Sequence, residues 1–358
     1  MTKIIITGGH HNSALVVARD LKSRGVEILW FGHKQASHGD QNHSAEYLEV
    51  KAAGIDFYDL RAGKIGKYPR LSSLVKIPLG ISSSISQLRI IKPDAVLSFG
   101  SYLGFATAVA ALALGIPVYI HEQTVVAGRA NQLVSRFAKR VFLTWPSSQN
   151  NFPQSKTMLV GLPIRESVLA SPISPLFDNP LPTILVMGGK QGSHIINTQV
   201  FALLSVLLPK YNLIHQTGTS SVTADYQTAL THRESLSKEL KARYRPVGYI
   251  GEEEIGRVLR SCDLYIGRSG AHTCYELALL GKKSLLIPFI HTHLQEQLRM
   301  AERLRTAGLA VILPQADLSS SSLMRSLPQA FGLVASPLTL KTDASAKITE
   351  TILHDLGA

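Results

Sequence analysis

The chain has 358 residues, 45% of them hydrophobic and 17% charged, and its 37 Lys and Arg outnumber 25 Asp and Glu for a net charge of +12. That length suits two domains, each with its own core, while no apolar run approaches the roughly 18 residues of a spanning helix. Two cysteines, Cys262 and Cys274, with no paired Cys/His spacing, argue against a disulfide framework and against structural zinc.

The positive balance favours an anionic partner, and the absence of a basic module interleaved with aromatics argues against nucleic acid. The chain starts directly in a strand-like run, Met1 to Ile6, without the apolar stretch and cleavage site of a signal peptide, so a cytoplasmic location is expected.

In chain order, Ile4 to Thr7 reads as a buried strand and Gly8-Gly9-His10-His11 as a turn. Ser13 to Arg24 reads as a helix with Ala14, Ala18 and Leu21 inward and a stop at Gly25, and Val26 to Phe31 as the next strand. Lys64, Lys67, Arg70 and Lys76 then sit among Ile65, Tyr68, Leu71, Leu74, Val75, Ile77 and Leu79. That mixture suits a segment at an anionic lipid surface, or equally a helix packed on the core with a solvated basic face. Ala95 to Phe99 is expected to be a strand, Leu103 to Leu114 a helix ended by Gly115, and Pro117 to His121 another strand.

The proline-rich stretches Ser171 to Pro175 and Pro180 to Pro182 discourage helix and strand and are read as an interdomain linker. Beyond them the opening pattern repeats: strand Thr183 to Met187, glycine turn Gly188 to Gly192, helix His194 to Leu207. The expected fold is therefore α/β, with two Rossmann-like, doubly wound parallel-sheet domains facing a cleft that the glycine loops line. Residues 1–165 form the first domain and 166–335 the second. The tail, about 336–358, either caps its own domain or crosses back to the first.

Tyr265 to Glu276 compresses a buried strand, a glycine turn and a helix start into twelve residues. The first helical turn has N–H groups without intrahelical acceptors and carries the positive end of the helix dipole, so Ser269, Gly270, Ala271 and Thr273 can face a phosphate. Glu276, one turn on, either takes sugar hydroxyls or is a solvated helix residue.

Taken together, Thr7-Gly8-Gly9-His10, His121-Glu122-Gln123 with Ala127-Gly128 and Asn131, Gly161-Leu162-Pro163-Ile164-Arg165, Gly188-Gly189-Lys190-Gln191-Gly192, Arg268-Ser269-Gly270-Ala271 with Thr273 and Glu276, and Pro288-Phe289 with His291 and Gln295 resemble the MurG-type glycosyltransferases of the GT-B fold. The resemblance covers nearly the whole chain. It implies inverting, metal-independent transfer of N-acetylglucosamine from UDP-N-acetylglucosamine to the lipid-linked pyrophosphate acceptor of peptidoglycan synthesis, at the cytoplasmic face of the membrane, with no cofactor.

On that resemblance, donor binding falls to Arg165, Lys190, Gln191, Gly192, Tyr249, Ile250, Ser269, Gly270, Ala271, His272, Thr273, Glu276, Gln295 and Glu296. Tyr249 and Ile250 meet the uracil, Glu276 the ribose, and Gln295 and Glu296 the sugar. Acceptor binding falls to Thr7, Gly8, Gly9, His11, Tyr102, Thr124 and Asn131. His10 and Glu122 are rival candidates for the base that takes the acceptor proton. Lys64, Lys67, Arg70, Leu74, Lys76 and Leu79 are expected to meet the membrane.

The chain departs from the family pattern at several points: Ile5 and Ile6 replace the first two glycines of Gly-Gly-Thr-Gly-Gly-His. Thr124 and Leu162 stand where Asn is usual, Lys190 where Ser is, His272 where an apolar residue is common, and Glu296 where Gln is. Two other readings share much of this pattern: a lipid glycosyltransferase with a diacylglycerol-type acceptor, and a UDP-sugar epimerase, which would require further cleft carboxylates. A non-catalytic UDP-sugar-binding partner is the reading outside enzymology.

Overall fold

The computed structural model describes residues 1–35, 43–60, 71–291 and 293–358, and divides the chain into two compact units. Unit 1 comprises Met1–Ile164 and Lys341–Ala358, and unit 2 comprises Arg165–Leu340. Lys64, Lys67 and Arg70 lie outside the described residues.

Unit 1 runs β1 (Lys3–Thr7), α1 (His11–Ser23), β2 (Glu27–Gly32), α2 (Ala45–Ala52), β3 (Asp56–Asp59), α3 (Leu71–Ile91), β4 (Ala95–Ser98), α4 (Ser101–Ala113), β5 (Val118–Glu122), α5 (Arg129–Ser135), β6 (Arg140–Leu143) and β7 (Thr157–Leu159). The strands form one parallel sheet in the order β3-β2-β1-β4-β5-β6-β7. Both faces are covered, which is why β1 reads as continuous isoleucine rather than as an alternation. Ile4 and Ile6 enter the core on one face, with α1, and Ile5 enters the core on the other, with Leu88 and Leu103 of α3 and α4.

Unit 2 runs α6 (Glu166–Ala170), β8 (Thr183–Met187), α7 (His194–Leu207), β9 (Asn212–Gln216), α8 (Asp225–Ser235), α9 (Lys238–Arg243), β10 (Tyr244–Val247), α10 (Glu252–Ser261), β11 (Leu264–Gly267), α11 (Ala271–Leu280), β12 (Ser284–Leu286), α12 (Glu296–Thr306), β13 (Ala310–Ile312) and α13 (Ser320–Phe331). Its sheet is parallel in the order β10-β9-β8-β11-β12-β13.

The chain then returns to unit 1 as α14 (Ala344–Leu356). Ala344, Ile348 and Ile352, spaced four apart on one stripe, are fully buried in the α1 face of the unit 1 core. Asp355 anchors the far end by accepting from Arg140 Nε at 3.1 Å and Nη2 at 3.2 Å.

The proline-rich stretch corrects the linker reading, because it lies inside unit 2 and the chain leaves unit 1 at Ile164. Prolines exclude helix and sheet there, but side chains satisfy the backbone instead. Asn179 pairs with Asn212 through two 2.9 Å bonds, and the Ser174 amide donates to Ser261 Oγ at 3.0 Å. Other expected elements shift at their ends by up to two residues, as α1 does by starting at His11 and α4 by starting at Ser101.

Candidate functional site

In unit 2 the loops that follow β8, β9, β10, β11 and β12 are tied into one surface at the carboxyl edge of the sheet. Gly192, at φ +76°, lies so close to the next loop that an added Cβ would sit 1.7 Å from the Thr217 carbonyl oxygen. Gln216, buried at the end of β9, donates from Nε2 to the Gly189 carbonyl at 3.0 Å and accepts the Ile250 amide on Oε1 at 2.9 Å. One side chain thereby joins the second glycine loop to the Tyr249-Ile250 loop. Lys190 Nζ adds a cation–π contact, 5.7 Å from the Tyr249 ring centre.

Arg268 fastens the next junction. Its guanidinium donates to Ser193 Oγ at 2.8 Å and to the Ile287 carbonyl at 3.0 Å, and stands 5.5 Å from the Phe289 ring centre. Ser269 is fully buried and gives its hydroxyl to the Gln297 carbonyl at 2.8 Å, so only its backbone faces the helix start. Gln297 Oε1 in turn accepts the Phe289 amide at 2.9 Å. Gln295 is exposed at the N-cap of α12 in a left-handed conformation, φ 54°, with Glu296 half-buried beside it.

Gly270 is the N-cap of α11, and a Cβ built there meets nothing within 4 Å. The helix therefore opens onto free space, with the half-buried His272 and Thr273 in its first turn. Glu276 is not the solvated alternative of the sequence reading: it is 1% exposed and grips Arg165, with Arg165 Nη2 donating to Oε1 at 2.6 Å and to Oε2 at 2.8 Å. His272 Nδ1 lies 3.2 Å from the same carboxylate, near enough for an ionic contact although not aligned for a hydrogen bond. Burial, the largest single influence, pushes Glu276 up, but Arg165, by charge and hydrogen bonding, and His272, by charge, together outweigh it and hold the carboxyl down at about 2.

In unit 1 the loops after β1, β4 and β5 converge in the same way. An added Cβ on Gly9 would meet Ser101 Cβ at 2.7 Å, and one on Gly100 would meet Asn131 Nδ2 at 3.3 Å. Ser101, at φ 69°, is a non-glycine residue held left-handed at the start of α4, next to the half-buried Tyr102. Thr7 is buried under this junction, Gly9 is exposed, and His10 caps α1 without a side-chain capping bond. His11 Nε2 lies 3.0 Å from Glu49 Oε2.

Glu122 is 3% exposed and its two oxygens are saturated from within the chain. Oε1 accepts the Thr124 amide at 3.1 Å and hydroxyl at 2.9 Å, while Oε2 accepts the Gly128 amide at 3.0 Å and Asn131 Nδ2 at 2.9 Å. Such a carboxylate, with internal donors on both oxygens, shapes the β5–α5 loop. Thr124, Asn131 and Glu122 are thus one internal network. Of the expected membrane residues within the description, Leu74 and Lys76 fall on α3 and Leu79 is 59% exposed there.

Residues the sequence reading left without a role prove central: Gln216, Gln297 and, within a quoted motif, Arg268 and Gln123. Gln123 Oε1 accepts Ser13 Oγ at 3.3 Å and links α1 to the β5 loop. A buried polar residue at the end of an apolar strand, as in His215-Gln216, is the signal that would have found the first. Among the described residues no cluster of three or more His, Cys, Asp or Glu could hold a metal ion, and no helix is long and apolar enough to cross a membrane.

Two family models match this chain. The glycosyltransferase family 28 N-terminal domain matches residues 5–143, and the glycosyltransferase family 28 C-terminal domain residues 183–353. A Vibrio campbellii protein named UDP-N-acetylglucosamine–N-acetylmuramyl-(pentapeptide) pyrophosphoryl-undecaprenol N-acetylglucosamine transferase is 32% identical over 338 residues, covering 90% of this chain and 86% of that protein. The crystal structure of Acinetobacter baumannii MurG superposes with a TM-score of 0.68 at 26% identity, covering 99% of this chain and all of that one. UDP-GlcNAc 2-epimerase from Neisseria meningitidis, bound to UDP-GlcNAc, gives a TM-score of 0.67 at 17% identity over 99% of this chain and 100% of that one, a likeness of fold alone. The two parallel-sheet units are those of the GT-B fold.

Proposed function

The chain belongs to glycosyltransferase family 28 and is a glycosyltransferase of the MurG type, and we propose that it transfers N-acetylglucosamine from UDP-N-acetylglucosamine to undecaprenyl-pyrophosphoryl-N-acetylmuramyl-pentapeptide, inverting the anomeric carbon and using no metal. The observation that carries the donor half is the open start of α11: an N-cap glycine with empty space beside it, first-turn amides that have no intrahelical acceptor, and a buried carboxylate one turn behind. The diphosphate lies over the amides of residues 270–273, the ribose reaches Glu276 and Arg165, and the uracil meets Tyr249. Because Gln216 already holds the Ile250 amide, the base edge is read chiefly by the loop's carbonyl groups.

In the reaction the acceptor hydroxyl oxygen forms a bond to the anomeric carbon as the bond from that carbon to the diphosphate oxygen breaks. The hydroxyl proton passes to a base, and UDP leaves with its charge spread over the helix amides, Lys190 and Arg165. His10 is the preferred base, since the internal saturation of Glu122 leaves that carboxylate the orienting role. Gly9, His11, Tyr102 and Thr124 flank the acceptor, and Gln295 and Glu296 the sugar. Leu79 and the basic residues before it bring the enzyme to the cytoplasmic face of the membrane, where an acceptor of this kind resides.

Labelled UDP-N-acetylglucosamine, supplied with a short-chain analogue of the lipid acceptor, tests the reading. Labelled disaccharide product supports it, whereas glycosylation of diacylglycerol with none of the pyrophosphoryl acceptor overturns it.

A further inference from the structure

Glu46 stands against the first glycine loop, in a notch made by two missing side chains. Its Oε1 accepts Trp30 Nε1 at 2.8 Å, and Trp30 is fully buried in β2. A Cβ added to Gly8 would lie 1.9 Å from that same oxygen, and one added to Gly32 would lie 2.7 Å from it. Gly8 follows β1 and Gly32 ends β2, so the carboxylate fills the carboxyl edge of the sheet where both neighbours leave room. The helix that carries it is fixed in place. Ser44 caps α2 by accepting the Tyr47 amide at 3.2 Å, and Glu49, nearly one turn after Glu46, meets His11.

The loop itself is pinned from its other sides. The Gly8 amide donates to the Phe31 carbonyl at 3.3 Å and Ser101 Oγ donates to the Gly8 carbonyl at 3.4 Å. With those contacts in place, the volume at Glu46 decides how far Gly8-Gly9-His10 can settle toward β2. We propose that Glu46 is a positioning residue for the acceptor: pinned by the Trp30 indole, its side chain acts as a wedge that sets the first glycine loop and aims the start of α1 and His10 at the acceptor. This rests on the assignment of that loop to the acceptor.

A wedge role makes separable demands on the two substrates. E46A removes the wedge and is expected to raise the acceptor KM on the order of tenfold, with the UDP-N-acetylglucosamine KM unchanged within about twofold. E46Q keeps the volume and an acceptor for Trp30, and restores the acceptor KM to within about threefold of wild type. E46D retains the charge but withdraws the group by one methylene, and is expected to behave like E46A; it also serves if E46A does not fold. G8A, which collides with Oε1, is expected to cost less in the E46A background than alone.

An E46A enzyme with unchanged acceptor KM, a parallel rise in both KM values, or additivity between G8A and E46A overturns the inference and leaves the transferase assignment standing. Absence of transfer by the wild-type protein with UDP binding intact instead strikes the acceptor assignment, so the two failures are distinguishable.

Discussion

Arg165 and Glu276 meet in a buried, two-pronged ion pair: Arg165 Nε and Nη2 donate to Oε1 at 3.0 and 2.6 Å, and Nη2 also reaches Oε2 at 2.8 Å. R165A would strand a carboxylate that is 1% exposed, at a cost of about 3–5 kcal/mol to unit 2. The pair also sets a pH dependence. Glu276 is held at about 2, below its ordinary 4.5, so its stabilising contribution is complete above about 4.5 and is lost as pH falls toward 2. Urea midpoints are expected to fall across that window in the wild type, and R165A to lose the part of that fall due to Glu276, while Asp355, held down by Arg140, keeps its own.

Glu122 and His10 are separated by one comparison. E122Q turns an amide NH2 toward groups that already donate, which costs about 1–3 kcal/mol and lowers the melting temperature along with activity. H10N is expected to leave UDP affinity in place and to lower kcat by about 10²–10⁴. A large kcat loss in E122Q at unchanged stability would reverse the two roles.

Gln216 reaches the two loops proposed to hold the donor, so Q216L removes both the Gly189 and the Ile250 bond. With the buried Ile250 amide left unmatched and the Gly189 carbonyl keeping only the Gly192 amide, UDP affinity is expected to fall about tenfold or more while the α11 junction stays intact. Titration of UDP against the variant checks it, and undiminished affinity would detach Gln216 from the donor site.

Much of this arrangement is legible in the sequence because it depends on local rules. Isoleucine runs such as Ile4 to Ile6 report strands covered on both faces, and glycine before a helix reports an anion-sized opening. What is not legible depends on contacts between residues far apart in the chain. Glu276 reads as a helix carboxylate, and only the fold brings Arg165, 111 residues away, onto both its oxygens. Glu122 likewise reads as an isolated carboxylate, and only the fold shows Thr124, Gly128 and Asn131 donating to its two oxygens. The proline-rich stretch looks like a linker because its prolines are visible in sequence, whereas the Asn179–Asn212 pairing that holds it in unit 2 is not.

Charge reversal of the basic segment tests the membrane reading. Changing Lys64, Lys67, Arg70 and Lys76 together to glutamate is expected to reduce binding to anionic vesicles, each basic residue being worth about 1 kcal/mol at such a surface. Activity on vesicle-borne acceptor falls with it, and activity on a water-soluble analogue is retained. Equal loss on both acceptors would assign the segment to the fold instead.

Titration calorimetry of UDP against the wild type and G270V, each in EDTA, asks whether the start of α11 holds the diphosphate without a metal. A valine at Gly270 fits the extended backbone and meets no neighbour within 4 Å of its Cβ, so it fills only the space before α11. The expectation is saturable, chelator-insensitive binding to the wild type and none to a folded G270V. Equal affinity in the two proteins, or binding that requires a divalent ion, would contradict it.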